Sequence, residues 1–150
     1  MCRVLVYLGG NELLENLIIK PKVSLVNQTL YHRYGTILNL AGFGFSAWNN
    51  DFKCPLIYKS LNLSFFDRNL ESICKTYKAT SVLAHIRGVS LNTTSQVNRS
   101  NIHPFLDSHE TISFAHNGFL HHLDEMKKSL MKYIKNQYFN EIHGTTDSEW

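Results

Sequence analysis

The chemistry in this sequence gathers around a cysteine in second place, in "MCRVLVYLGG". Chain termini are usually mobile and exposed, and an exposed thiol oxidises, so Cys2 is a liability unless Met1 is removed and the new terminus is put to use. A terminal cysteine carries a nucleophile and a base in one residue. Its thiol has a reference pKa of about 8.5 and its α-amine of about 7.7–8.0, close enough to exchange a proton near neutral pH. Three other suitable residue types follow. Arg87 in "AHIRG" presents a planar guanidinium fork that suits a carboxylate. "AHNGF" supplies Asn117, with an uncharged amide donor, beside Gly118, and "GTTDSE" offers Asp147 as an acid. Each alone has a plainer reading: an arginine in a surface ion pair, an Asn-Gly turn, a helix cap.

The rest of the chain must position these groups. With 150 residues, 43% hydrophobic and 18% charged, it falls in the ordinary globular class and can bury one core. Its net charge of +3 comes from scattered basic residues, with Lys127-Lys128 the one adjacent pair, so nucleic acid is not the expected partner. The first residues lack a basic segment followed by a long apolar run, and no apolar run reaches the roughly 18 residues that span a bilayer, so no membrane association is expected. Three cysteines without a paired spacing, Cys2, Cys54 and Cys74, suit a reducing cytoplasm better than a disulfide framework or a structural zinc site.

The pattern predicts a strand-rich first half. "CRVLVYL" reads as a strand ended by Gly9-Gly10, and "KVSLVNQTLY" and "GTILNLAGFGFSAW" continue in strands. The period then changes: in "DRNLESICKTYKATS", Leu70, Ile73, Cys74 and Tyr77 define an amphipathic helix that Asp67 or a neighbour can cap. "SVLAHIR" is a buried strand delivering Arg87 at its end. After a long polar loop, "TISFAHNGFL" is a strand that breaks at Asn117-Gly118. Leu123, Met126, Leu130 and Ile134 form the stripe of a second helix, with Lys127, Lys128 and Lys132 solvated. "GTTDSEW" reads as a helix start with Thr145, Thr146 or Asp147 as cap.

Taken in order, Cys2, "AHIRG", "FAHNGF" and "GTTDSE" resemble the class II glutamine amidotransferases, whose catalytic domain belongs to the N-terminal-nucleophile hydrolases. "GFGFSAW" is similar to the glycine-rich aromatic strand of that family, and "NIHPF" to the Asn-x-His-Pro-Phe element of its stand-alone amidotransferase-like, γ-glutamyl-cleaving members. The resemblance runs from Cys2 to Trp150. It implies an α+β fold, a four-layer αββα sandwich of antiparallel sheets. It also implies hydrolysis of the γ-amide of glutamine or of a γ-glutamyl compound through a thioester on Cys2, with no cofactor. By the same resemblance, the Asn117 amide and the Gly118 N–H receive the developing oxyanion, Arg87 takes the glutamyl carboxylate and Asp147 its ammonium. Ser90, three residues past Arg87, stands where related members carry a Thr or Ser near the substrate.

His85, His103 and His116 lie inside the matching segments and are expected as supporting hydrogen-bonders rather than reacting groups. His116, His121 and His122 lack a metal-ligand spacing, so no metal is expected. Cys54 and Cys74 read as small buried hydrophobes. The loop "GVSLNTTSQVNRSN" departs most from the family pattern. Family members also continue beyond the TDSE-like motif, so residues 1–150 read as the N-terminal portion of the domain, incomplete at the C-terminus. A sheet short of strands leaves apolar faces to cover, which makes a partner subunit or a homo-oligomer an expectation. The alternative function is a catalytically inactive or partner-dependent amidotransferase-like binding module.

Overall fold

The computed structural model describes residues 2–31, 38–89 and 97–150. Four strands form one antiparallel sheet in the order β1-β4-β2-β3: β1 (Arg3–Leu13), β4 (Lys78–Ile86), β2 (Phe43–Trp48) and β3 (Leu56–Ser60). A separate two-stranded ribbon pairs β5 (Phe105–Leu106) with β6 (Ser113–Phe114).

Side chains alternate across a strand, so each face of the sheet takes every second residue. One face carries Phe43, Phe45 and Ala47 of β2 with Val82, Ala84 and Ile86 of β4. It packs on Leu14 and Ile18 of α1 (Leu14–Ile18) and on Leu70 and Cys74 of α2 (Arg68–Thr76). This is the main core, and a fully buried ring such as Phe45 contributes about 1.5–3 kcal/mol to it. The second face carries Val4, Val6 and Leu8 of β1, exposed at 39%, 67% and 78%. Val4 pairs with His85, and His85 with Gly44, so these three form one row across that face. Segment 97–150 meets it there.

Gly44 shows how tightly that segment fits. A Cβ on Gly44 would lie 2.3 Å from the His103 carbonyl oxygen, 2.9 Å from Ile102 Cγ2 and 3.1 Å from the Tyr58 carbonyl oxygen. Two of these are backbone atoms that cannot swing aside. Gly44→Ala is therefore expected to destabilise the fold by about 1–3 kcal/mol. Urea unfolding would measure it, and a loss under about 0.5 kcal/mol would show that the segment is not held as closely as described.

Local signals held best in α2. Asp67 caps it, accepting from the Asn69 N–H at 3.1 Å and the Leu70 N–H at 3.2 Å, while Tyr58 and Ser60 hydroxyls donate to the same carboxylate. Other expectations are corrected. β1 does not stop at Gly9-Gly10 but continues to Leu13, because a shift in register between Leu8 and Glu12 accommodates the glycines within the strand. "KVSLVNQTLY" is not a strand: the Ser24 hydroxyl accepts from the Asn27 N–H at 3.0 Å and Asn27–Thr29 wind into a short 3-10 turn. Of "GTILNLAGFGFSAW", Phe43–Trp48 is strand, while residues 35–37 lie outside the described ones. "TISFAHNGFL" keeps only Ser113–Phe114 as strand. The stripe of α3 (Leu123–Leu130) is not a core face, since none of its residues is buried, and Ile134 lies beyond its end. Asp147–Glu149 form a 3-10 turn with Thr146 as an N-cap that makes no side-chain hydrogen bond. Cys74 is buried as expected, but Cys54 is exposed, in an irregular stretch outside the sheet.

Candidate active site

Cys2 directly precedes β1, and the pairing of Arg3 with Ile86 sets it beside the end of β4. The Gly88 N–H points at its sulfur, 3.3 Å away, and the thiol in turn faces the Gly88 carbonyl at 3.5 Å. Arg87, the residue between Ile86 and this contact, is 7% exposed, with its backbone bonded to Gly42 and Ala41. Burial draws its guanidinium below the ordinary value, while Cys2 and Asp147 act in the opposite sense. The strand end thus fixes a thiol and a guanidinium side by side.

The Asn117-Gly118 turn arrives from the far end of the chain. Asn117 Nδ2 donates to the Cys2 carbonyl at 2.8 Å, and Arg3 donates to the same oxygen at 2.9 Å. Asp147 is tied to the same region: its Oδ2 accepts from the Leu120 N–H at 2.6 Å and its Oδ1 from the Ser148 hydroxyl at 3.0 Å. A cleft of about 700 Å³ results, with Cys2, Arg87, His103, His116, Gly118 and Asp147 in its wall. A volume of this order accommodates a small metabolite. A neighbouring cleft of about 760 Å³, lined by Ile57, Phe105, Phe114 and Trp150 among others, is mainly apolar and contains neither Cys2 nor Arg87. The smaller cleft is therefore the candidate active site.

The residues singled out in the sequence are distributed as follows. Cys2, Arg87, Gly118 and Asp147 share the cleft; Asn117 reaches Cys2 but is exposed, with its amide engaged on the Cys2 carbonyl. Ser90 lies outside the described residues. His103, 2% exposed, reaches the cleft wall and packs at a tilt against His85, with ring centroids 4.5 Å apart. Burial, joined by the charge of Arg87, lowers His103 to about 4. Burial and then His103 lower His85 to about 3. Both rings are neutral at physiological pH, so they add no cation beside Arg87. His116 Nδ1 meets Ser148 Oγ at 3.1 Å. Gly88 and Ser148 were not singled out, although the glycine of "AHIRG" and the serine of "TDSE" stand in the motifs themselves.

His121 meets Phe119 edge-on, and His122 faces Glu125; among the described residues no group of three His, Cys, Asp or Glu side chains converges to hold a metal. No helix among the described residues is long and apolar enough to cross a membrane.

Known proteins are similar to this chain in sequence and in fold. The family described as Glutamine amidotransferases class-II matches residues 28–150. The "Probable glutamine amidotransferase DUG3" of Saccharomyces cerevisiae is 30% identical over 158 aligned positions, covering 99% of this chain and 43% of that protein. The solved structure of a glutamine aminotransferase class-II domain protein from Silicibacter pomeroyi is similar with a TM-score of 0.64 at 19% identity, covering 99% of this chain and 51% of that one. The chain thus spans about half the length of these relatives. The structural likeness shows the fold, an α+β arrangement with antiparallel sheets as the sequence implied. By its match over most of its length, the chain belongs to the class II glutamine amidotransferases.

Proposed function

We propose that this chain hydrolyses the γ-amide of glutamine or of a γ-glutamyl compound, with Cys2 as nucleophile after removal of Met1. The observation that carries the reading is the presence of Cys2, Arg87 and Asp147 in the wall of one cleft. Arg87 binds the substrate carboxylate and Asp147 the ammonium, which leaves the γ-carbonyl facing the sulfur. The Cys2 amine takes the thiol proton, and the thiolate adds to the γ-carbon. Gly118 N–H and the Asn117 amide, turned from the Cys2 carbonyl, receive the oxyanion. Collapse to the γ-glutamyl thioester expels the amine, which leaves with the proton held by the Cys2 amine. Water then adds to the thioester and releases glutamate, returning the sulfur with its proton. The setting is a reducing cytoplasm.

The direct test is the intact mass of the purified chain before and after incubation with a glutamine-like diazo ketone. Loss of Met1 and a single adduct mapped to Cys2 are the expected outcome. An unlabelled Cys2 in a folded sample would refute the reading. Asn117→Ala should lower turnover by about 10²–10³-fold with the thermal unfolding transition unchanged, as expected for an oxyanion donor. An undiminished rate would remove Asn117 from the mechanism.

One observation favours a second reading, a partner-dependent module. The exposed row Val4, Val6 and Leu8 is an apolar sheet face of the kind that another polypeptide covers. Turnover that appears only with self-association or an added subunit would support it. Full activity of a monomer would exclude it.

A further inference from the structure

His116 stands between the two halves of the candidate site. Its Nδ1 lies 3.1 Å from Ser148 Oγ and 3.7 Å from Asp147 Oδ1. Ser148 donates its hydroxyl proton to Asp147 Oδ1 at 3.0 Å, and a carboxylate can only accept. The Ser148 oxygen must therefore accept from His116, which places the imidazole proton on Nδ1. In the neutral ring Nε2 is then left bare. That bare edge covers Gly118: a Cβ there would fall 2.4 Å from Nε2 and 3.1 Å from Cε1. Glycine at this position leaves space for the ring, which lies over the turn it belongs to.

Asp147 is also anchored on the other side of the turn, where its Oδ2 accepts from the Leu120 N–H at 2.6 Å. Residues 116 and 120 thus both grip the 147–148 segment, one through a side-chain relay and one through the backbone, with Asn117 and Gly118 between them. We infer that His116 is a positioning residue whose Nδ1–H, relayed through Ser148 to Asp147, locks the Asn117-Gly118 turn to the Asp147 segment so that the two present one rigid surface to the glutamyl group. The inference rests on the proposed assignment of this cleft to a glutamyl substrate. It adds a tautomer, a relay and a reason for the glycine that follows Asn117. The ring does not touch the reacting atoms. It acts through its neighbours, in the way outer hydrogen bonds hold reacting groups to sub-ångström placement elsewhere.

The test has two readouts on the full chain. Long-range ¹H–¹⁵N spectra of the imidazole at pH 8 report the tautomer without any turnover. The expected result is a proton on Nδ1 and a bare Nε2, shifting towards the Nε2–H form in Ser148→Ala. A parent ring protonated on Nε2 alone would overturn the inference. The second readout compares alkylation of Cys2 by iodoacetamide, which needs no glutamyl pocket, with labelling by the glutamine-like diazo ketone, which does. His116→Phe should slow the diazo ketone by roughly tenfold, the loss of one good hydrogen bond, and leave iodoacetamide within about twofold. His116→Asn, which keeps a donor near the Nδ1 position, should recover most of the rate. Equal slowing with both reagents would mean a merely structural role, and no slowing would mean no role. A parent chain that takes iodoacetamide but not the diazo ketone would defeat the functional reading, while the spectra would still decide the relay.

Discussion

Replacing Cys2 by alanine is expected to lower glutamate release by about 10⁴-fold or more, the scale seen when a covalent nucleophile is deleted from a site that acts as a unit. The size of the effect follows from the double duty of the residue. In the proposed route the thiol forms the thioester, and no other described sulfur enters the cleft: Cys74 is buried in the core, where desolvation pushes its thiol up to about 12, and Cys54 lies outside the cleft lining. Stability should scarcely change. Cys2 precedes β1, and among the described residues its side chain is held by weak sulfur contacts with the Gly88 backbone. Glutamine binding should survive too, since Arg87 and Asp147 are held by their own elements. Parallel measurement of turnover, glutamine affinity and thermal unfolding checks all three. Residual turnover above about one part in a hundred would rule out the thioester route.

The second large effect concerns acid. His103 and His85 are held neutral by burial, at about 4 and about 3, against a reference value near 6.5 in the unfolded chain. Between pH 6.5 and 4 the unfolded chain binds protons that the folded chain refuses. Stability is therefore complete above about pH 6.5 and falls as the pH drops, by up to about 1.4 kcal/mol per pH unit for each histidine. By pH 4 the loss approaches about 3 kcal/mol for each, a large share of the total stability of an ordinary domain. Urea titrations from pH 7 to 4 should show the decline. His103→Gln should flatten the slope by about one proton's worth. A stability that holds constant from pH 7 to 5 would show that these rings are not buried neutral.

The parts of the fold that the sequence revealed are those fixed by short-range physics. The stripe of α2 and its Asp67 cap lie within a dozen residues of each other, and both were legible. The strand that delivers Arg87 was legible because its apolar run is almost wholly buried. "KVSLVNQTLY" misled because its β-branched residues argue for a strand while the Ser24 hydroxyl and nearby backbone turns decide otherwise. The α3 stripe misled because periodicity reports that a face is apolar, not that anything covers it. At the candidate site, motif order singled out Cys2, Arg87, Asn117, Gly118 and Asp147, which the structure brings close to one another. It gave no hint that Gly88 brackets the sulfur, that Asn117 rests on the Cys2 carbonyl, or that His116 and Ser148 form a relay. Those contacts join residues far apart in sequence: the register of β1 on β4 brings Gly88 to Cys2, and the others depend on how segment 97–150 lies against the sheet.

That register also sets a timetable for the chain as it is made. β1 is made well before its hydrogen-bonding partner β4, and the sulfur of Cys2 contacts a residue 86 positions later. The turn that reaches its carbonyl comes 115 positions later. Synthesis at roughly 5–20 residues per second leaves several seconds in which the amino terminus has no folded partner. The removal of Met1 that the proposed function requires would therefore act on an open peptide rather than on a strand end in a cleft. The pairing that builds the site is also the slow, non-local kind. In the proposed function trimming therefore comes first, and Cys2 closes into its cleft only once segment 97–150 has been made.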